Sequence, residues 1–209
     1  MKIFLLYFLT AVGAYLVGSV NPSIIVSRRV YHVDLREYGS HNAGFTNFKR
    51  LFGNKMAWFV FACDILKAAL VCLGARLLFE HIIGRGQLGA AYACLFAMLG
   101  HSFPVWYGFR GGKGAAVYGG SFWFVDWRVT AIGFVVVAVM LLVTRYMSLA
   151  VIVATVSTVA LLALTKPDPA ALIMSAVCVA VLILRHRENI VRLCRGEESK
   201  FRFHDRPKD

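Results

Sequence analysis

The sequence predicts an all-α membrane protein, a bundle of seven transmembrane helices, one of them short, with glycine-rich loops gathered at the cytoplasmic end. Three observations carry that expectation. Of 209 residues, 59% are hydrophobic and only 16% charged, with a mean hydropathy of +0.66, whereas a soluble domain is about 45 to 50% apolar and about a quarter charged. The apolar residues come in runs of spanning length joined by short links. The 23 Lys and Arg, which give a net charge of +12, cluster in those links and in a tail, as charges do when they orient a membrane protein or hold head groups and phosphates. A single polytopic domain over residues 1–209 follows, ending in a basic cytoplasmic tail from about 186 to 209. A second soluble domain, a secreted disulfide scaffold and a free-standing nucleic-acid module are excluded.

Taken in order, the predicted spans are Ile3 to Ile25, Met56 to Phe79, Leu88 to Phe109, Val129 to Thr144, Ser148 to Leu164 and Ala170 to Leu184. The first has one Lys before its apolar run and continues through Gly18, Ser19, Asn21 and Pro22 into further apolar residues, so it reads as a helix, not a cleaved signal. A further run, Ala115 to Val125, reaches only about 16 Å as a helix. If it crosses, 17 cations share the side of the tail, five lie opposite and Lys67 is left inside a span. If it does not, Arg145 and the tail move to the sparsely charged side, against the positive-inside bias. Seven crossings are therefore expected, with the N-terminus outside and the tail in the cytoplasm. Trp123, Asp126 and Trp127 then mark the outer interface.

Three polar segments fall on the cytoplasmic side. In DLREYGSHNAGFTNFKR, Asp34 to Arg50, Gly39 and Gly44 permit tight turns, and Ser40, Asn42, Thr46 and Asn47 offer short polar groups to backbone or ligand, closed by Arg50. A capped loop oriented by its cations accounts for the same residues. In GHSFPVWYGFRGGKGAAVYGG, Gly100 to Gly120, the glycines Gly111, Gly112 and Gly114 around Lys113 let backbone N–H groups point into one concavity ahead of a helix N-terminus, which favours phosphate. A Walker loop is excluded, because Tyr107 stands where it needs glycine and Gly114 where it needs Ser or Thr. In RHRENIVRL followed by GEE, helical spacing pairs Arg185 with Arg192 and His186 with Asn189 near the water boundary. Asp64 and Lys67, three residues apart near mid-membrane, read as a structural ion pair. His101 is a further candidate base. The five cysteines lack metal spacing and read as small core residues.

With these segments on one face, the chain resembles the bacterial acyl-phosphate:glycerol-3-phosphate acyltransferase family, the PlsY family. The likeness runs in order through GSVNPSIIVSR from Gly18, GSHN…G.TN…R from Gly39, DILK from Asp64, GH.FP…GGKG from Gly100, RYMSL from Arg145 and RHR.NI.RL..G.E from Arg185. It implies a seven-helix enzyme of the bacterial inner membrane that moves an acyl group from acyl phosphate to the 1-hydroxyl of glycerol 3-phosphate, the first acylation of phospholipid synthesis, giving lysophosphatidic acid. It implies phosphate contacts at Ser40, Arg50 and Lys113 within a substrate-binding set that includes Asn42, Thr46 and Asn47. It implies a backbone cradle from Gly111 to Gly114, with Gly112 in it, and places Ser148, His186 and Asn189 near the glycerol and the reacting carbonyl; His101 stays a candidate base on its own chemistry. No metal or cofactor is expected. Expected partners are the bilayer, the two substrates and the soluble enzyme that supplies acyl phosphate, with no nucleic acid. The chain departs from the pattern at His41, Ala43 and Phe45, where small residues are usual, at Ala68 after DILK, and at Val117 in place of Thr. The competing readings are a transporter for a phosphorylated metabolite, which lacks a visible inverted repeat, and a lipid-binding scaffold, which leaves the glycine cradle unexplained.

Overall fold

The computed structural model describes residues 1–203 and is helical throughout them, with no strand. Arg206 and Lys208 of the basic tail lie outside the described residues. The helices are α1 (Lys2–Ser19), α2 (Pro22–Val30), α3 (Phe45–Phe52), α4 (Asn54–Ile83), α5 (Gly86–Ser102), α6 (Ala115–Phe122), α7 (Trp127–Thr144), α8 (Met147–Leu164), α9 (Pro169–Arg185) and α10 (Arg187–Cys194). Short 3-10 turns lie at Leu35–Glu37 and Val105–Tyr107. The axis of the bundle is α5, whose apolar stretch is 67% buried against 22% for α1 and 28% for α4. Lipid is as apolar as leucine, so close backbone approach holds such helices together. Gly100 illustrates it, because a Cβ there would lie 2.1 Å from the Tyr15 carbonyl oxygen of α1. Cys72, Cys94 and Cys178 pack as small buried residues, as expected, while Cys194 is exposed.

Two predicted spans are divided or shortened. The run from Ile3 to Ile25 breaks after Ser19, because Pro22 lacks an N–H and the Asn21 side chain accepts from the Ile24 N–H, starting a new helix. The run from Leu88 to Phe109 stops being helical at Ser102, since Pro104 disfavours helical backbone at Phe103. Among the described residues five segments, α1 with α2, α4, α5 with its 3-10 turn, α7 and α8, are long and apolar enough to cross a membrane, and the pair α9 and α10, bent by 58°, makes six. The helix in the short run, α6, spans about 12 Å. Its ends nevertheless face opposite ends of the bundle. Gly114 packs on Met98 near the end of α5, whereas the Val125 carbonyl accepts from Gln87 at the start of α5. At that far end Arg85 also pairs with Asp168 at 2.7 Å.

A charged cluster ties these elements together where α1 and α5 end. Asp64 and Lys67 of α4 pair at 2.7 Å, and the His101 Nδ1 lies 3.3 Å from the same Asp64 oxygen. The Lys67 ammonium also donates to the Gly18 carbonyl at 3.1 Å and to the Val20 carbonyl, so it satisfies backbone left open where α1 ends. Asp64 is 2% exposed and His101 3%.

Two outcomes are expected. Single cysteines at His41 and Lys166, both exposed, should be labelled by an impermeant thiol reagent from opposite faces of the membrane; labelling from one face would remove the crossing by α6. Removing one member of the cluster, as in Asp64→Asn, should destabilise the protein by about 3 to 5 kcal/mol, because it leaves a buried charge unpaired. The double change with Lys67→Met should be milder than the sum of the two single changes, read from thermal melting in detergent.

Candidate active site

The first loop is built on two side chains, the buried Asn47 and the partly buried Asp34. Asn47 donates to the Leu35 and Tyr38 carbonyls at 3.1 Å each and accepts from the Ser40 N–H at 2.9 Å. Gly39 turns with φ +63° against it, where a Cβ would lie 2.4 Å from the Asn47 oxygen. Asn47 therefore shapes the loop, and it lines the cavity together with Ser40, Asn42, Thr46 and Arg50. Asp34 caps the turn and pairs with Arg28 and Arg36 at 2.8 Å each. The Arg36 hydrogen bonds hold its carboxyl well below the ordinary range despite partial burial. Arg36 then donates to the Tyr107 and Arg110 carbonyls at 2.8 Å, locking the first loop to the second.

The glycine loop is used differently from the sequence expectation. The Gly111 N–H donates to the Ser102 carbonyl at 3.2 Å and the Gly112 N–H to the His101 carbonyl at 3.0 Å, so both close the end of α5. Neither lines the cavity; Lys113, Gly114, Ala115 and Ala116 do. Gly112 must be glycine, because a Cβ there would lie 2.1 Å from the His101 Nε2. The backbone cradle thus narrows to the start of α6, where first-turn N–H groups lack helical acceptors. His101 turns its Nδ1 to Asp64 and Lys67, so the candidate base belongs to the charged cluster, and it also lines the cavity.

The third motif brings the chemistry together. Arg185 donates to the Gly112 carbonyl at 3.1 Å and lies over the Phe103 ring at 4.9 Å, clasping the glycine loop. His186, 5% exposed, has Nδ1 2.8 Å from the Leu182 carbonyl, a contact that makes Nδ1 the donor and leaves Nε2 as an acceptor. Burial pushes its pKa down to about 4, so the ring is neutral near pH 7. Lys113 donates to Asn189, and burial followed by repulsion from Arg192 lowers its ammonium to about 8.

Sequence reasoning matched Glu198 as the last residue of RHR.NI.RL..G.E without giving it a role, and its carboxylate is the hub. Oε1 accepts from Ser148 at 2.7 Å and from Asn189 at 2.6 Å, and Oε2 accepts from Arg192 at 2.7 Å. Burial raises this carboxyl, and the three hydrogen bonds outweigh it, leaving the pKa below its usual value. The tail continues across the mouth, where Arg50 donates to Ser199 at 2.9 Å and the Phe201 N–H to the Arg145 carbonyl at 2.6 Å. Of the departures in the first loop, Phe45 packs on Trp58, Phe61 and Phe201 as one wall of the cavity, whereas His41 points away to the Arg36 carbonyl. The cavity, about 790 Å³, runs from these polar groups down between the helices.

The geometry has close relatives. A family described as glycerol-3-phosphate acyltransferase matches residues 8–196. The chain is 37% identical to the glycerol-3-phosphate acyltransferase of Thermoanaerobacter sp. (strain X514), covering 92% of this chain and 94% of that one. It is 38% identical to that of Aquifex aeolicus (strain VF5), covering 90% and 95%. Its fold matches the crystal structure of PlsY (YgiH), an integral membrane glycerol 3-phosphate acyltransferase, in the glycerol 3-phosphate form, with a TM-score of 0.86 at 36% identity over 94% and 96% of the two chains. The lysophosphatidic acid form of that enzyme matches with a TM-score of 0.83 at 35% identity over 94% and 95%. A matching family over nearly the whole length, a shared fold and a convergent polar site give one conclusion: the chain belongs to the glycerol-3-phosphate acyltransferase family of integral membrane proteins, the PlsY family.

Proposed function

We propose that this membrane acyltransferase uses acyl phosphate as donor, acylates the 1-hydroxyl of glycerol 3-phosphate and releases lysophosphatidic acid and phosphate. The observation that carries this reading is the convergence of Lys113, Ser148, Asn189 and Arg192 around one anionic position, held by the Glu198 carboxylate. Such donors suit phosphate, and a solved relative is described in glycerol 3-phosphate and lysophosphatidic acid forms. In this reading Lys113, Arg50, Arg192 and Ser40 hold the two phosphates, with Asn42 and Thr46 beside them. The N–H groups from Gly114 to Ala116 polarise the acyl carbonyl. The hydroxyl oxygen forms a bond to the carbonyl carbon, the bond from that carbon to the phosphate oxygen breaks, and the hydroxyl proton passes to the His186 Nε2 or to a phosphate oxygen. An acyl phosphate is a mixed anhydride with a good leaving group, so positioning and electrostatics supply the rate without a covalent acyl-enzyme.

The same reading sets the protein in the bacterial inner membrane with its N-terminus outside and the site facing the cytoplasm, where the soluble supplier of acyl phosphate would meet it. The bias of cations toward that end supports the orientation. The small polar mouth favours acyl phosphate over acyl coenzyme A, whose adenosine 3′-phosphate and pantetheine arm need an extended surface of their own.

The test is turnover of labelled glycerol 3-phosphate by the purified protein. Lysophosphatidic acid is expected with acyl phosphate and negligible product with acyl coenzyme A, without added metal or nucleotide; equal rates with both donors would overturn the donor assignment. Lys113→Ala and Arg50→Ala should each lose roughly ten- to hundredfold, the worth of a charge-assisted phosphate contact of about 1.5 to 3 kcal/mol. Because Lys113 loses its proton as pH rises through about 8, kcat/KM should fall on the alkaline side of that value. Lys113→Arg, whose charge persists, should move the falling limb upward by about one pH unit or more. An unmoved limb would detach Lys113 from the profile.

A further inference from the structure

The cavity continues past the loops into the space between α4 and α6 on one side and α7 and α8 on the other, and it ends at Phe122, Thr130, Gly133, Phe134 and Thr158. Three contacts close it there. A Cβ on Gly133 would lie 2.4 Å from the Thr158 methyl, so α7 and α8 are zipped at that level. Phe122 is fully buried and stacks on Tyr118 at 4.4 Å between ring centres, and Trp123 stacks on Phe134 at 5.6 Å. The threonine hydroxyls are turned to their own helix or to Tyr118, which leaves carbon facing the space.

Depth follows from helical rise. Ser148 to Thr158 on α8 and Gly114 to Phe122 on α6 correspond to about 12 to 15 Å. Bonds of about 1.5 Å at tetrahedral angles advance a carbon zigzag by about 1.25 Å per atom, so the space holds about ten to twelve carbons. Further carbons leave sideways past Phe134, which is 40% exposed toward the lipid.

One wall residue controls that depth. A Cβ on Gly119 would meet only the edge of the Phe134 ring, at 3.4 Å, with nothing else within 4 Å. Its neighbour Gly120 differs, since a Cβ there would lie 2.5 Å from the Ile65 carbonyl of α4. Helix packing therefore demands glycine at 120 and not at 119, and helix propensity opposes it at both. The smallness of Gly119 serves the open space in front of it.

We propose that this groove measures about the first ten to twelve carbons of the acyl chain, and that Gly119 and Phe134 together set the limit. The proposal rests on the acyl-transfer reading above. Purified protein is assayed with acyl phosphates from octanoyl to stearoyl. In the wild type, kcat/KM should rise by roughly fourfold per methylene up to about ten to twelve carbons and then level. Gly119→Leu should lower the ratio of palmitoyl to octanoyl kcat/KM by about tenfold or more, and Phe134→Ala added to it should restore much of that ratio. Proportional loss at every chain length, or no restoration by the second change, overturns the proposal. If the wild type turns over no acyl phosphate of any length, the donor assignment is what fails. The groove is then read from thermal stabilisation by lysophosphatidic acids of the same chain lengths, and a series that Gly119→Leu leaves unshifted overturns it.

Discussion

A charge inside a membrane has to be met by another charge or by polar backbone, and the cluster of Asp64, Lys67 and His101 is where this protein meets that demand. The rest of the active end hangs from it. Lys67 takes the carbonyls freed where α1 stops, which permits the break at Asn21. Asp64 fixes the ring of His101, the ring excludes any side chain from Gly112, and the His101 carbonyl holds the Gly112 N–H. Lys113 is the next residue. A pair buried in α4 thereby fixes the height at which Lys113 leaves the bundle.

Above that cluster, cations and carbonyls do the joining. Arg36 bonds the second loop and Arg185 bonds the glycine loop, both through backbone oxygen, so each joint is independent of the side chain at the accepting position. A guanidinium suits the task, since it stays charged and offers several donors in a fixed fork. The loops are rigid through these joints although they lie outside the helices. Lys113, Asn189, Ser148 and Arg192 are left at the centre with one carboxylate between them.

Much of this was legible in the sequence. Apolar runs located the long helices, the spacing of Asp64 and Lys67 gave their pairing, and the three polar segments named the loops that meet. What was hidden depended on partners distant in the chain. Nothing local tells that the N–H groups of Gly111 and Gly112 are taken by carbonyls of α5, or that Asn47 faces into its loop. His101 had the chemistry of a base, and only its neighbours reveal that it also belongs to a buried charged cluster. Glu198 closed a matched motif without an assigned role, because a carboxylate in a basic tail gives no local sign that α8 and α10 both bond it. The end of α5 before Phe109 was the reverse case, since Pro104 marked it and the apolar character of the following residues masked it.

The hub also divides the fold into two kinds of joint. Glu198 follows every helix among the described residues, yet it gathers Ser148, Asn189 and Arg192 into one place. The helices pack on one another without it, so a chain cut back before Glu198 would keep the described helices and leave those three groups without their common acceptor. The segment that adds least to anchoring the protein is thus the one that gathers its polar groups.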